Sequence, residues 1–341
     1  LPLIAAAGIE AAVAVLSDVW SRSRLVVAGQ ATLAVSLAFV AWTRSPWGLT
    51  IGLGLAGAAS GVACGAAQAM LLAARPTEHH RTLLRWSLGC AVGDVLTPLV
   101  TAAAIALGTS YRGAAAAIAL LVAGQCLLSA LALRGEAPGA ATAEDDEPPE
   151  PLRAVLARAL RLPRLWIWLF ASASCTFLDE LVIVLSVLRL EHLGIATPAV
   201  ATSTAVALSV GSALGAAATD RVVTRTTPRT VLVLSAIACA AAVVALLVSS
   251  TVPGAVAAML LVGIASAPHH PLSQAQAYAE LPDRPGTVQA LGQIFVVLDV
   301  GIPLVLGVVA DRAGLDVAMA LLLVQPAVVG LVAAALHARR E

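Results

Sequence analysis

Apolar residues arrive along this chain in blocks of about twenty, separated by short polar connectors. A helix of that length crosses the ~30 Å hydrocarbon core of a bilayer. Eleven blocks can be placed, at 1–16, 25–43, 48–73, 86–107, 113–134, 165–189, 199–219, 230–249, 255–277, 287–310 and 315–336. The pattern predicts an all-α polytopic membrane protein with one longer connector, 135–164. That connector holds Glu144-Asp-Asp-Glu147, two consecutive prolines and then Arg153, Arg158, Arg161 and Arg164. An acidic stretch without regular structure is expected there, followed by a basic amphipathic segment at the membrane surface.

Composition agrees with the blocks. Hydrophobic residues make up 60% of the 341 and charged residues 12%, against ~25% charged in a soluble domain. No water-soluble fold of this length hides that much apolar surface. The zero net charge discriminates nothing. The first block runs directly into further blocks and so does not read as a cleavable signal. Cys64, Cys90, Cys126, Cys175 and Cys239 lie far apart inside apolar blocks and read as small hydrophobes rather than disulfide partners or metal ligands. No metal site, phosphate loop or nucleic-acid signature is present, so neither a cofactor nor a nucleic-acid partner is expected. Energy for any transport must come from a gradient.

All 20 basic residues are arginine, and their placement orients the chain. Sixteen fall in alternate connectors and at the C-terminus, whereas only Arg44, Arg112, Arg189 and Arg312 fall on the opposite side. The positive-inside rule then puts the long connector and the C-terminus in the cytoplasm of a multi-pass protein of the cell inner (plasma) membrane.

The two halves repeat. Asp18 matches Asp220, Gln68-Ala69 matches Gln274-Ala275, Pro76 matches Pro282, and Asp94-x-x-x-Pro98 matches Asp299-x-x-x-Pro303, at offsets of 202 to 206 residues. Two pseudo-symmetric helical bundles are therefore expected, 1–134 and 165–341, joined by the cytoplasmic linker 135–164. In the second half the Asp220 connector follows two blocks; in the first, Asp18 follows one, and the chain opens on Leu. The expectation is that the first span of a twelve-span fold is missing; the alternative is a genuine eleven-span protein.

Two parallel six-span halves joined by a long cytoplasmic loop resemble the major facilitator superfamily of secondary transporters. That family carries a signature near G-x-x-x-D-R-x-G-R-R in the loop after its second span. Asp18-Val-Trp-Ser-Arg22-Ser-Arg24 keeps its Asp and two Arg, with Val19 where Arg is usual and Ser21 where Gly is usual. Gly215-Ala-Ala-Ala-Thr-Asp220-Arg221-Val-Val-Thr-Arg225 keeps Asp-Arg and a following Arg. A carboxylate at a helix end can pair with arginines of a neighbouring span and favour one packing state. Asp18, Arg22, Arg24, Asp220, Arg221 and Arg225 are thus candidates for a cytoplasmic latch; the alternative is a solvated turn. Gly89-Cys-Ala-Val-Gly93-Asp94-Val-Leu-Thr-Pro98 is similar to the fifth-span motif of the family's drug exporters, and Gly89 and Gly93 would let another helix approach. The stretch from Tyr278 to Gly286, with Asp311 to Gly314, is similar to fosmidomycin-resistance-type exporters.

Five acids fall inside the blocks: Glu10, Asp94, Asp179, Glu180 and Asp299. An ionised carboxylate in hydrocarbon is costly, so each must be protonated, paired or turned to a wet cavity. These five are the candidates for proton coupling; the alternative for each is a protonated carboxyl that only fixes packing. On a continuous helix Asp179 and Glu180 would point about 100° apart, with Asp179 near mid-depth and cavity-facing. Pro268-His269-His270-Pro271 should break its helix and expose backbone to a cavity. His269, His270, Gln68 and Gln274 are the substrate-cavity candidates. The adjacent His79-His80 pair reads as solvated. Block 48–73 lacks the fourth-span Arg common in proton-driven exporters of the family.

The resemblance and the acids together imply a monomeric secondary transporter working by alternating access, a proton-coupled antiporter that exports small organic molecules or drugs. The alternatives are a metabolite or sugar importer, or a non-transporting scaffold or sensor. A membrane enzyme would need acids or His gathered at one interface, and these lie at mid-depth.

Overall fold

The computed structural model describes residues 2–16, 20–75, 78–135 and 152–337, and among them every regular element is helical. In chain order the helices are α1 (Pro2–Leu16), α2 (Arg22–Trp42), α3 (Pro46–Ala74), α4 (His79–Ala106), α5 (Tyr111–Ala132), α6 (Leu152–Leu160), α7 (Pro163–Ala173) and α8 (Glu180–His192). They continue as α9 (Pro198–Val222), α10 (Pro228–Val248), α11 (Val252–Ser266), α12 (His269–Glu280), α13 (Pro285–Gly292), α14 (Val296–Ala313), α15 (Leu315–Ala320) and α16 (Val324–His337). Nine stretches among the described residues, some of them two helices in series, are long and apolar enough to cross a membrane. They occupy nine of the eleven blocks; the 15-residue α1 and the Arg- and Asp-bearing α4 occupy the other two. The amphipathic segment expected after the acidic stretch is α6, with Val155 and Ala159 buried and Arg153 and Arg158 exposed. Glu144 to Glu147 and Asp18 lie outside the described residues, as does the side chain of Glu180.

Many helix starts are written in a Ser/Thr-then-Pro pattern. The side chains of Ser45, Thr197, Thr227 and Thr251 accept from the backbone N–H three residues on, and a proline sits in each first turn, where its missing donor costs nothing. Two helix ends are closed by arginines from elsewhere in the chain. Arg189 donates from Nη1 to the carbonyls of Leu246 and Ser249 at 2.7 and 2.9 Å, and its Nε lies 3.2 Å from Asp316. Arg229 donates to the Leu336 carbonyl at 2.8 Å. A cation at a helix C-terminus satisfies orphan carbonyls and complements the dipole.

The chain divides into two compact units that do not follow the sequence halves. One comprises Leu1–Thr77, Leu99–Pro163 and Leu281–Val296; the other comprises Glu78–Pro98, Arg164–Glu280 and Val297–Glu341. In the first, α2 packs on α3 and α5, and α1 packs on α3 and α13. In the second, α9 packs on α11, and α10 on α11 and α16, around Val182, Met259, Val262 and Leu322. Backbones approach closely there at three glycines. A Cβ on Gly211 or Gly263 would run into the carbonyls of Leu260 and Leu208, and one on Gly215 into that of Ile264. A Cβ on Gly89 or Gly93, the pair expected to let a helix approach, would meet nothing within 4 Å.

Two spans break in the second unit. Between α11 and α12 the chain turns at Ala267 and Pro268, as the flanking prolines predict. Between α7 and α8 lies a 3-10 segment, Ser174–Leu178, followed by Asp179 at φ −83° and ψ −116°. No proline marks this second break. Hydroxyls do: Ser174 donates to the Ala171 carbonyl at 2.7 Å, and Thr176 lies 3.1 Å from that of Ala173. Side chains that bond nearby backbone carbonyls compete with the helix ladder. The angle expected between Asp179 and Glu180 on a continuous helix is thereby overturned, because the helix stops between them.

Candidate functional site

At the break before Asp179 a glutamine side chain from α16 meets the backbone. Leu178 N–H donates to Gln325 Oε1 of α16 at 2.9 Å, and Gln325 Nε2 lies 3.2 Å from His269 Nδ1. One carboxamide thus ties both broken spans together. His269, one of the cavity candidates, is fully buried and is the second partner of Gln325. Gln325 was invisible as a site residue; its only signal was a lone carboxamide in an apolar block.

From the same break Thr176 reaches α14. Its hydroxyl oxygen lies 2.6 Å from Asp299 Oδ1 and 3.1 Å from the Ala173 carbonyl. The pair has a hydrogen bond for either protonation state. With an ionised Asp299, the Thr176 proton points to the carboxylate. With a protonated Asp299, the acid donates to Thr176, whose own proton turns to Ala173. The hydroxyl is both donor and acceptor, which this exchange requires. Asp299 is exposed on its unit, as are Asp94, Asp179 and His270. Of the remaining cavity candidates, Gln274 donates along its own helix to Tyr278 at 3.5 Å, and Gln68 is half-buried on α3.

In the first unit the acid is Glu10. It accepts from Gln293 Nε2 at 3.0 Å and lies against Gly61, while Gln289, one turn before Gln293, lies against Gly65. The bare face of α3 at Gly61 and Gly65 makes room for both polar side chains. Beside them is a cavity of about 10 Å³, roughly one water.

The partners of Asp220 differ from those expected of a latch. Asp220 pairs with Arg81 at 3.1 Å and Arg85 at 3.4 Å, both in the first two turns of α4. Arg221 instead donates to the Ala217 carbonyl of its own helix, and Arg225 is exposed. Arg81 and Arg85 are four residues apart and share a helix face, but no local pattern ties them to a carboxylate 135 or more residues away. In the other half Arg22 reaches the Ala69 carbonyl at 3.4 Å, and Arg24 is exposed. His80, read as solvated, is half-buried and lies 2.8 Å from Gln276. Burial, helped by the neighbouring His79, lowers its pKa below the ordinary imidazole range.

The Asp220 contacts are partly exposed, which limits their strength. A double-mutant cycle on Asp220→Asn and Arg81→Gln should give a coupling of about 0.2–1 kcal/mol, smaller in 1 M salt. A coupling unchanged by salt would show that the pair is not electrostatic.

Polar side chains meet at both broken spans of an otherwise apolar helical chain. The chain is a member of the Major Facilitator Superfamily, whose family model matches residues 1–304, and it is a secondary transporter, not an enzyme. No curated protein matches it. Among solved structures it resembles a variant of the fucose:proton symporter FucP of Escherichia coli, with a TM-score of 0.77, 15% identity, and 97% of this chain and 89% of that one covered. It also resembles FucP in the outward conformation, with a TM-score of 0.75, 16% identity, and coverage of 97% and 88%. The human organic anion transporter MFSD10 (TETRAN) is similar at a TM-score of 0.70 and 16% identity, with coverage of 97% and 80%. At these identities the likeness speaks for the fold alone.

Proposed function

We propose that the chain is a proton-coupled exporter of small organic molecules working by alternating access. The observation that carries this reading is the Thr176–Asp299 contact at 2.6 Å. An exposed carboxyl at membrane depth faces either lipid, at a cost of ~2.5–3.5 kcal/mol when ionised, or a wet path. A partner that can bond both protonation states suits a group that loads and releases a proton on the wet path. Asp299 is the principal proton carrier in this reading, with Asp179 at the break and Asp94 at the matching place in the first half as auxiliaries. Glu180 and Glu10 are the remaining proton candidates. His270, Gln68 and Gln274 contribute to the substrate path. Asp220 with Arg81 and Arg85 forms the cytoplasmic latch.

The membrane is the plasma membrane, the long connector and the C-terminus face the cytoplasm, and the protein works as a monomer of two bundles, 1–134 and 165–341. Export follows from the likeness of the Tyr278–Gly286 and Asp311–Gly314 stretches to fosmidomycin-resistance-type exporters. Proton-driven import is the second reading, favoured by the fold likeness to a structure described as a fucose:proton symporter.

Proteoliposomes carrying the full chain test the coupling directly. An imposed pH gradient should drive uptake or extrusion of a transported compound, and the compound's own gradient should drive proton movement reported by a trapped pH dye. The sign of the proton movement separates antiport from symport. Flux that proceeds with no proton movement would overturn the proposal.

A further inference from the structure

Two of the four arginines on the Arg-poor side sit together. In the first unit, the end of α2 and the starts of α3 and α5 enclose an open groove of about 650 Å³ lined by Phe39, Trp42, Thr43, Arg44, Ser45 and Arg112. Arg112 is held in place: Nη2 donates to the Thr43 carbonyl at 3.1 Å, and the guanidinium lies 5.7 Å from the centre of the Tyr111 ring. Arg44 is exposed, and the ion pairs among the described residues use other arginines. Among the described residues no carboxylate lines the groove. The N-termini of α3 and α5 open beside it, so their dipoles add to the same preference for an anion.

The groove continues into an apolar track. Val35, Phe39 and Trp42 follow each other at helical spacing on α2 and are 70%, 45% and 86% exposed. Trp47, 77% exposed, stands at the same end. Exposed tryptophans mark the membrane–water interface. A soluble anion would use the arginines but leave this track uncovered. A lipid uses both, its phosphate on the guanidiniums and an acyl chain along Val35 and Phe39.

We propose that this groove binds the headgroup of an anionic phospholipid in the leaflet opposite the arginine-rich connectors. The site is independent of the proton-coupling reading and of any substrate. It also gives Arg44 and Arg112 a reason to stand on the side where the positive-inside rule disfavours them.

Native mass spectrometry of the full chain in neutral detergent, titrated with phosphatidylglycerol or phosphatidylcholine of the same acyl chains, tests the site. Phosphatidylglycerol should be retained in preference to phosphatidylcholine. Each arginine near a charged headgroup contributes about five-fold. Arg44→Gln should therefore weaken retention about five-fold and the Arg44→Gln/Arg112→Gln pair about twenty-five-fold. Arg44→Lys should restore most of the loss. Arg112 also bonds the Thr43 carbonyl, so its replacement can disturb folding; the Arg44 variants, at an exposed side chain, keep the test decisive. Equal retention of the two lipids, or an Arg44→Gln variant that keeps wild-type selectivity, overturns the proposal. Displacement of phosphatidylglycerol by millimolar inorganic phosphate would overturn the lipid assignment in favour of a soluble anion.

Discussion

Proton-driven flux through an Asp299→Asn variant should fall by about 100-fold or more, the lower range of what loss of a positioned proton-transfer group costs. Asparagine keeps the size and can still accept from Thr176, so packing at the 2.6 Å contact survives while the titratable group is gone. Binding of a transported compound should be retained, and substrate exchange without a pH gradient should survive better than gradient-driven flux. Thr176→Val separates the two roles of the pair. It leaves Asp299 in place but removes the hydroxyl that serves both protonation states, a loss of about 1–3 kcal/mol for an unmet polar group and so about ten-fold or more in flux. Thr176→Ser should recover most of it. Wild-type proton coupling in Asp299→Asn would move the carrier role to Asp179 or Asp94; wild-type coupling in all three Asn variants would remove it from these acids.

The parts of this molecule legible in the sequence are those governed by one-dimensional pattern. Apolar blocks of helix length mark the spans, Ser/Thr-Pro pairs mark many helix starts, and Pro268 and Pro271 announce the break at Ala267 and Pro268. The acids, too, stood out as expensive residues in cheap surroundings. What local pattern could not give was partnership. Asp220 follows the family signature, but its arginines come from α4, not from the signature itself. Glu10 looked like a lone acid, and its partner Gln293 lies 283 residues away. The break at Ser174 to Leu178 carries only two hydroxyls and no proline, and hydroxyls in an apolar helix more often bond a carbonyl one turn back without ending it. Its stability rests on Gln325, 147 residues on from Leu178. Spacing within a helix is written locally, whereas the far end of a hydrogen bond is decided by how helices pack. The glycines make the same point in reverse: Gly89 and Gly93 have the spacing of a helix contact, yet a Cβ on either would meet nothing within 4 Å, while one on Gly211, Gly215 or Gly263 would meet backbone.

Gly263→Leu should prevent the protein from reaching its native state, or lower its melting temperature more than any other single change described here. A Cβ on Gly263 would meet the Leu208 carbonyl oxygen, with the Ser212 backbone nitrogen at 2.9 Å and the Gly211 carbonyl carbon at 3.1 Å. All three are backbone atoms inside helices, so none can swing aside as the end of a flexible side chain would. Packing α9 directly on α11 is what makes the room so small, and α11 ends at the turn that sets His269 against Gln325. Forcing the helices apart therefore strains the contact itself and pulls on the carboxamide that holds both broken spans. Overpacking costs about 1–3 kcal/mol where side chains can adjust, and a backbone clash lies at or above the top of that range. Gly57→Ala on α3 is the control, because its Cβ meets nothing within 4 Å; there the change should be neutral or stabilise by about 0.4–1 kcal/mol. Thermal unfolding in detergent, followed by tryptophan fluorescence and checked for monodispersity, measures both. A Gly263→Leu protein that melts with the wild type would mean that α9 and α11 do not meet at these glycines, and the positioning of His269 and Gln325 would then need another cause.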